Sequence, residues 1–132
     1  MSEPLVIDAS AGVEFLLNSP TGMALRGRMP SPAEEWAPEI YVAEVAAALR
    51  RAELFGRLSP ERAGIAITRL LAAPLRRVEV QPLLSDAWQL RHNMTVSDAL
   101  YVVLARHLRA TLVTADRKLA GAPGIGVPVI AP

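Results

Sequence analysis

Ser97-Asp-Ala-Leu-Tyr-Val-Val-Leu-Ala-Arg-His-Leu108, followed at once by Thr111-Leu-Val113 and Thr114-Ala-Asp116, is the stretch whose reading decides the fold. Its first part is helical and carries an aspartate in the first turn. Its second part is a short strand with another aspartate just beyond its end. The N-terminus has a similar layout: Pro4-Leu-Val-Ile7 is an apolar run of the buried-strand kind, Asp8 ends it, and Val13, Leu16 and Leu17 follow in a helical pattern.

Between these ends the elements continue to alternate. Asn18-Ser-Pro20 stops the first helix and starts a second through about Met29, and residues 30–38 read as a Pro-rich loop with a short strand. A longer helix runs from Glu39 to Phe55 and ends at Gly56. Ser59 then caps a helix whose first residue is Pro60 and which ends near Pro74. Arg77–Val80 is a strand, and Pro82–His92 a helix offering Leu83, Leu84, Trp88 and Leu90 to the core. Arg117–Ala120 forms a turn of helix, and Val127–Ile130 is the last strand. Strands alternating with helices predict a mostly parallel sheet between helical layers. The expectation is a single-domain α/β fold over residues 1–132, a three-layer α/β/α sandwich.

Composition agrees. A chain of 132 residues, 52% hydrophobic and without cysteine, builds one core with neither disulfides nor a thiolate zinc site. No apolar run approaches the ~18 residues of a membrane span, and no basic leader opens the chain, so a cytoplasmic protein without membrane contact is expected. The net charge of +1 attracts no polyanion by itself. Lys118 is the sole lysine beside thirteen arginines, a preference that suits bidentate phosphate pairing but that codon bias explains equally.

Three of the four aspartates, Asp8, Asp98 and Asp116, stand at strand ends or a helix start. In parallel sheets the carboxyl ends of the strands converge on one ligand-binding edge, so these three can meet there. Each alone reads equally well as a helix cap or a dipole partner. Glu44 is different. Its helical neighbours Ile40, Tyr41, Ala47 and Ala48 make its face apolar and small, and a charge so placed requires a partner. Arg51 lies two turns along the same face, roughly 10 Å away by helical rise and too far for an intimate pair.

Val6-Ile-Asp8-Ala-Ser10, Ala43-Glu-Val-Ala-Ala-Ala-Leu49, Ser97-Asp-Ala-Leu-Tyr-Val-Val-Leu-Ala105 and Val113-Thr-Ala-Asp-Arg-Lys-Leu119 together resemble a PIN domain, in order and spacing, over essentially the whole chain. More narrowly they resemble the VapC-type toxins of toxin–antitoxin pairs. The resemblance implies an acidic metal-binding quartet of Asp8, Glu44, Asp98 and Asp116, with Ser10 and Thr114 supporting it. It implies Mg²⁺ or Mn²⁺, one or two ions, since Arg117 and Lys118 stand where some relatives carry a further acid. It also implies an RNA substrate, a VapB-type antitoxin and a homodimer.

Clustered carboxylates suit those hard ions, which polarise a phosphoryl group and lower the pKa of a bound water. The expected reaction is in-line attack of a metal-activated water on an RNA phosphodiester, leaving a 5′-phosphate and a 3′-hydroxyl. Arg117, beside Asp116, is the phosphate-binding candidate. Val13, Leu16, Leu17, Met23 and Leu25 are candidates for an antitoxin groove. A housekeeping RNA-processing nuclease, or a PIN-fold binding module with weak catalysis, are the alternatives. A metal-free ribonuclease would need His92 and His107, both of which read as structural. A phosphatase would need an aspartate where Ser10 stands. Gly121–Gly126 precedes a strand, so it is a surface turn and not a dinucleotide loop.

Overall fold

The apolar β-branched runs assemble into one sheet in the computed structural model, which describes residues 2–132. Its strands are β1 (Glu3–Ile7), β2 (Ala33–Pro38), β3 (Arg76–Val78), β4 (Thr111–Val113) and β5 (Val129–Ile130). They pair in the order β3-β2-β1-β4-β5, and every pairing is parallel. Leu5, Val6, Ile7, Leu112 and Val113 are fully buried, as central parallel strands covered on both faces must be. The chain winds outward from β1 to β3 and then returns to the other side of β1 as β4. The carboxyl ends of β1 and β4 therefore form the switch point where open α/β sheets bind ligands.

Seven helices cover the sheet: α1 (Ala9–Leu16), α2 (Pro20–Arg28), α3 (Ile40–Leu54), α4 (Pro60–Ala72), α5 (Gln81–Gln89), α6 (Val96–Leu108) and α7 (Arg117–Ala120). The first four pack on one another, while α5 pairs with α6 and α6 lies against β1, β2 and β4, which gives the three-layer sandwich. Local signals start these helices where the sequence places them. Ser19 and Ser59 accept from the amides of Gly22 and Arg62, each with proline at the first helical position. Thr95 caps α6 by accepting from the Asp98 amide at 3.1 Å. Every residue from Ala99 to Ala105 is buried, so α6 is the central helix of the core and holds Asp98 at a fixed place above β4.

Three expectations are corrected. Residues 33–38 form a six-residue strand next to β1 instead of a loop with a brief strand. The strand read at 77–80 shifts to β3, one residue earlier at its start and two shorter at its end, and that read at 127–130 contracts to β5. Of the four residues offered to the core, Leu83 alone is buried on α5, beside Ala87; Leu84 and Trp88 point outward, 44% and 53% exposed, and buried Leu90 follows the helix. Among the described residues no helix is long and apolar enough to cross a membrane.

Candidate functional site

Asp8 leaves β1 and enters α1 as its N-cap. Its Oδ1 accepts from the Ala11 amide at 2.9 Å and from the Ser10 hydroxyl at 2.7 Å, and its Oδ2 accepts from the Thr114 hydroxyl. Asp8 as a whole residue is 4% exposed. Burial raises its pKa above the usual aspartate value, the three donors oppose that rise, and the charge of Asp98 adds to it. Ser10 and Thr114 also tie the ends of β1 and β4 together: the Ala115 amide donates to Ser10 Oγ at 2.9 Å, and the Asp116 amide to Thr114 Oγ1 at 3.0 Å. Both hydroxyls thus orient the first aspartate and shape the turn that carries the last.

Asp116 caps α7, its Oδ1 accepting from the amides of Lys118 at 2.9 Å and Leu119 at 3.4 Å. Cap and cleft residue are therefore not exclusive roles, for Asp8 and Asp116 fill both. Asp98 is not the cap of α6, because Thr95 is. Its carboxyl is partly buried, and its pKa is raised first by that burial and then by the charges of Asp116 and Glu44. Glu44 reaches in from α3, where its Oε1 accepts from the Tyr101 hydroxyl of α6 at 2.6 Å. Burial and the bond to Glu44 push the Tyr101 phenol far above its usual value, so it stays a donor at any working pH.

Four elements thus bring Asp8, Glu44, Asp98 and Asp116 to one cleft of about 230 Å³, lined also by Ala9, Ser10, Ala48, Arg51 and Tyr101. Among the described residues no three acidic side chains already enclose an ion-sized space. Burial first, and then the neighbouring charges of Asp116 and Glu44, favour the protonated form of Asp98. An all-carboxylate oxygen donor set fits a hard divalent cation such as Mg²⁺ or Mn²⁺ and suits softer metals poorly.

Tyr101 is a cleft residue that sequence reading did not single out. It stands three residues after Asp98 on one helix, so both side chains share a face, and that spacing was the available signal. Arg51 lines the cleft, whereas Arg117 and Lys118 are exposed and outside its lining. Among the described residues Arg51 makes no ion pair with Glu44, as the helical distance required. His92 is exposed and His107 pairs with Asp86 at 3.1 Å; neither lines the cleft. The glycine turn is pinned as a loop before β5, with Asn93 donating to the Pro123 carbonyl at 2.9 Å and Arg106 to Ile125. Of the groove candidates, Leu25 is core, Met23 is 66% exposed, and Val13, Leu16 and Leu17 are partly buried.

The sequence matches the PIN domain family over residues 5–125. It is 42% identical over 122 residues to Ribonuclease VapC1 of Mycobacterium tuberculosis, covering 91% of each chain. Against Ribonuclease VapC12 of the same organism it is 36% identical over 120 residues, covering 91% of this chain and 92% of that one. Among solved structures, M. tuberculosis VapC20, described as a sarcin-ricin loop cleaving toxin, superposes with a TM-score of 0.66 at 19% identity, covering 89% of this chain and 95% of the other. VapBC2 from Rickettsia felis, bound to a DNA fragment from its promoter, gives 0.68 at 13% identity, with 97% and 98% covered. At those identities the structures speak for the fold alone.

Proposed function

The chain belongs to the PIN-domain family, and on that premise we propose that it is a metal-dependent endoribonuclease, the toxin of a type II toxin–antitoxin pair. The observation that carries the reading is the convergence of Asp8, Glu44, Asp98 and Asp116, from four separate elements, on one cleft at the switch point of a parallel sheet. The ribonucleases it resembles at 36% and 42% identity over nine-tenths of its length support the same chemistry.

In this reading the four carboxylates hold Mg²⁺ or Mn²⁺, one or two ions. When bound, such a cation polarises the scissile phosphoryl group and lowers the pKa of a coordinated water. The protein's own part is positional. Ser10, Thr114 and the Ala11 amide occupy lone pairs of Asp8 and fix its orientation. Tyr101 does the same for Glu44. Asp98 and Asp116 stand on a rigid core helix and a short turn. Carboxylates held this way need no reorganisation when charge builds on the reacting phosphate.

A VapB-type antitoxin fits the face of α1 and α4, where Leu16, Leu17 and Ile65 line a depression of about 210 Å³ with Arg62 and Arg69. A basic side chain reaching from it into the acidic cleft would compete with the metal.

The test is incubation of the partner-free chain with structured RNAs in Mg²⁺, Mn²⁺ and EDTA, beside Asp98→Asn. Cleavage that requires metal, drops at least ~100-fold in the variant and is suppressed by the antitoxin is expected. Cleavage surviving EDTA would move the chemistry elsewhere. Failure to cut any RNA, with calorimetry finding no metal bound, would sink the proposal.

A further inference from the structure

Phosphates have to reach an acidic cleft on a chain whose net charge is only +1, so local cations must guide them. Among the described residues Arg51 is the one basic residue in the lining of the carboxylate cleft. Together with Ala48 it also lines a second depression of about 240 Å³, which continues to Ala52, Phe55 and Arg57. Glu44, Ala48, Arg51 and Phe55 succeed one another at three- and four-residue steps, with Ala52 four residues after Ala48, so the acidic cleft and this strip are continuous along α3. Gly56, at φ +72°, turns the chain and brings Arg57 alongside.

The chemistry of the strip is specific. Phe55 is 74% exposed and so contributes little to the core. Among the described residues no acidic side chain lines the depression, and the rest of its lining is Ala48 and Ala52. Among the described residues neither Arg51 nor Arg57 is paired with a carboxylate, unlike Arg26, Arg76 and Arg77. An open aromatic face between two unpaired guanidinium groups matches a ligand with alternating π-faces and phosphates.

We propose that the Arg51–Phe55–Arg57 strip is a binding subsite for single-stranded RNA running out of the carboxylate cleft, with an unpaired base stacked on Phe55 and flanking phosphates held by the two arginines. The inference rests on the ribonuclease reading and adds where and how the substrate is gripped. From Glu44 to Phe55 the helix rises roughly 16 Å, a span of a few nucleotides. The bases of a duplex are stacked within it and cannot lie on the ring, so the subsite selects unpaired segments.

The experiment measures fluorescence anisotropy of a labelled unstructured RNA and of its duplex, using the Asp98→Asn chain so that nothing is cut. Phe55→Ala is expected to weaken single-strand binding roughly 5- to 100-fold, with duplex binding little changed and Phe55→Trp restoring it. Arg57→Ala should flatten the dependence of log Kd on log salt by about 0.7, one phosphate contact on a single strand. In the active chain both substitutions should raise KM and leave kcat. Unchanged RNA affinity in Phe55→Ala and Arg57→Ala, while the parent chain still cuts RNA, overturns the subsite and spares the nuclease. The same result with antitoxin binding lost assigns the strip to the protein partner and equally overturns it. A parent chain that neither binds nor cuts RNA removes both readings. Both side chains are exposed, and matching melting curves would establish that the variants fold.

Discussion

Without the Tyr101 hydroxyl, Glu44 would be a carboxylate on an apolar face of α3 with no donor; with it, one oxygen is held at 2.6 Å and the other is left for the cleft. Tyr101 is therefore a positioning residue, acting through Glu44. Tyr101→Phe keeps the buried ring and removes only the donor. Its expected effect is a ~10- to 100-fold loss of Mg²⁺ or Mn²⁺ affinity by calorimetry, the range found when an orienting partner of a metal ligand is deleted. Thermal stability should change far less, since no cavity opens. Metal affinity equal to that of the parent chain would show that Glu44 needs no orientation. The same scale explains why Asp8 and Asp116 were ambiguous in sequence: an aspartate at a helix start looks alike whether it only caps the helix or also faces a ligand.

Helix α1 carries Asp8 at its cap and Ser10 in its first turn, and its position depends on how closely Tyr41 of α3 can approach. Gly12 makes that approach possible: a Cβ there would meet the Tyr41 hydroxyl and lie 2.8 Å from its ring carbons. Gly12→Ala is expected to destabilise the fold by about 1–3 kcal/mol through overpacking. It should also lower activity, because α1 must shift away from α3 and take Asp8 with it. Denaturant melts and nuclease rates check both, and a fully stable, fully active variant would mean that the two helices slide freely. Strand β2 shows how an element escapes a sequence reading. Its adjacent Glu34 and Glu35 point to opposite faces, where Arg76 (3.6 Å) and Arg26 (3.1 Å) meet them, partners supplied by two other elements, β3 and α2. Trp88 and Leu84 fail for the converse reason: among the described residues no apolar element covers their side of α5, and the Trp88 ring is met by the Arg91 guanidinium, 4.9 Å from its centroid.

For the molecule as a whole, burying acids together sets how stability depends on pH. The pKa values of Asp8 and Asp98 are raised in the folded state, so between their usual 3.8 and those raised values the folded chain holds more protons than the unfolded one. Stability of the metal-free protein therefore falls as pH climbs through that window and returns as pH drops back toward 3.8, the reverse of a salt-bridged aspartate. Asp98→Asn, lacking the charge, should melt higher than the parent at neutral pH without metal. Added Mg²⁺ or Mn²⁺ should raise the melting temperature of the parent and not that of the variant. The gain should shrink at acid pH, where protons compete for the same oxygens. Scanning calorimetry across pH, with and without metal, measures all three. A variant that melts lower than the parent when metal-free would refute the account of charge crowding.

Resemblance to a PIN domain marked Glu44, Ser10 and Thr114; the amino-acid sequence by itself determined the alternation of strands and helices, the cap at Ser59, the parallel α/β class, and three aspartates at strand ends or a helix start. These are written in short-range signals: periodicity, capping residues, and acids set against strand ends. Only the tertiary structure decided that the four acids share one cleft, that Tyr101 holds Glu44, that Arg51 and not Arg117 lines the site, and that Phe55 lies open beside it. Each of these depends on which helix faces are covered once the sheet has ordered its strands β3-β2-β1-β4-β5. Contacts between residues as far apart as Glu44 and Tyr101 arise from packing of the whole sandwich, and no local stretch of the chain encodes them.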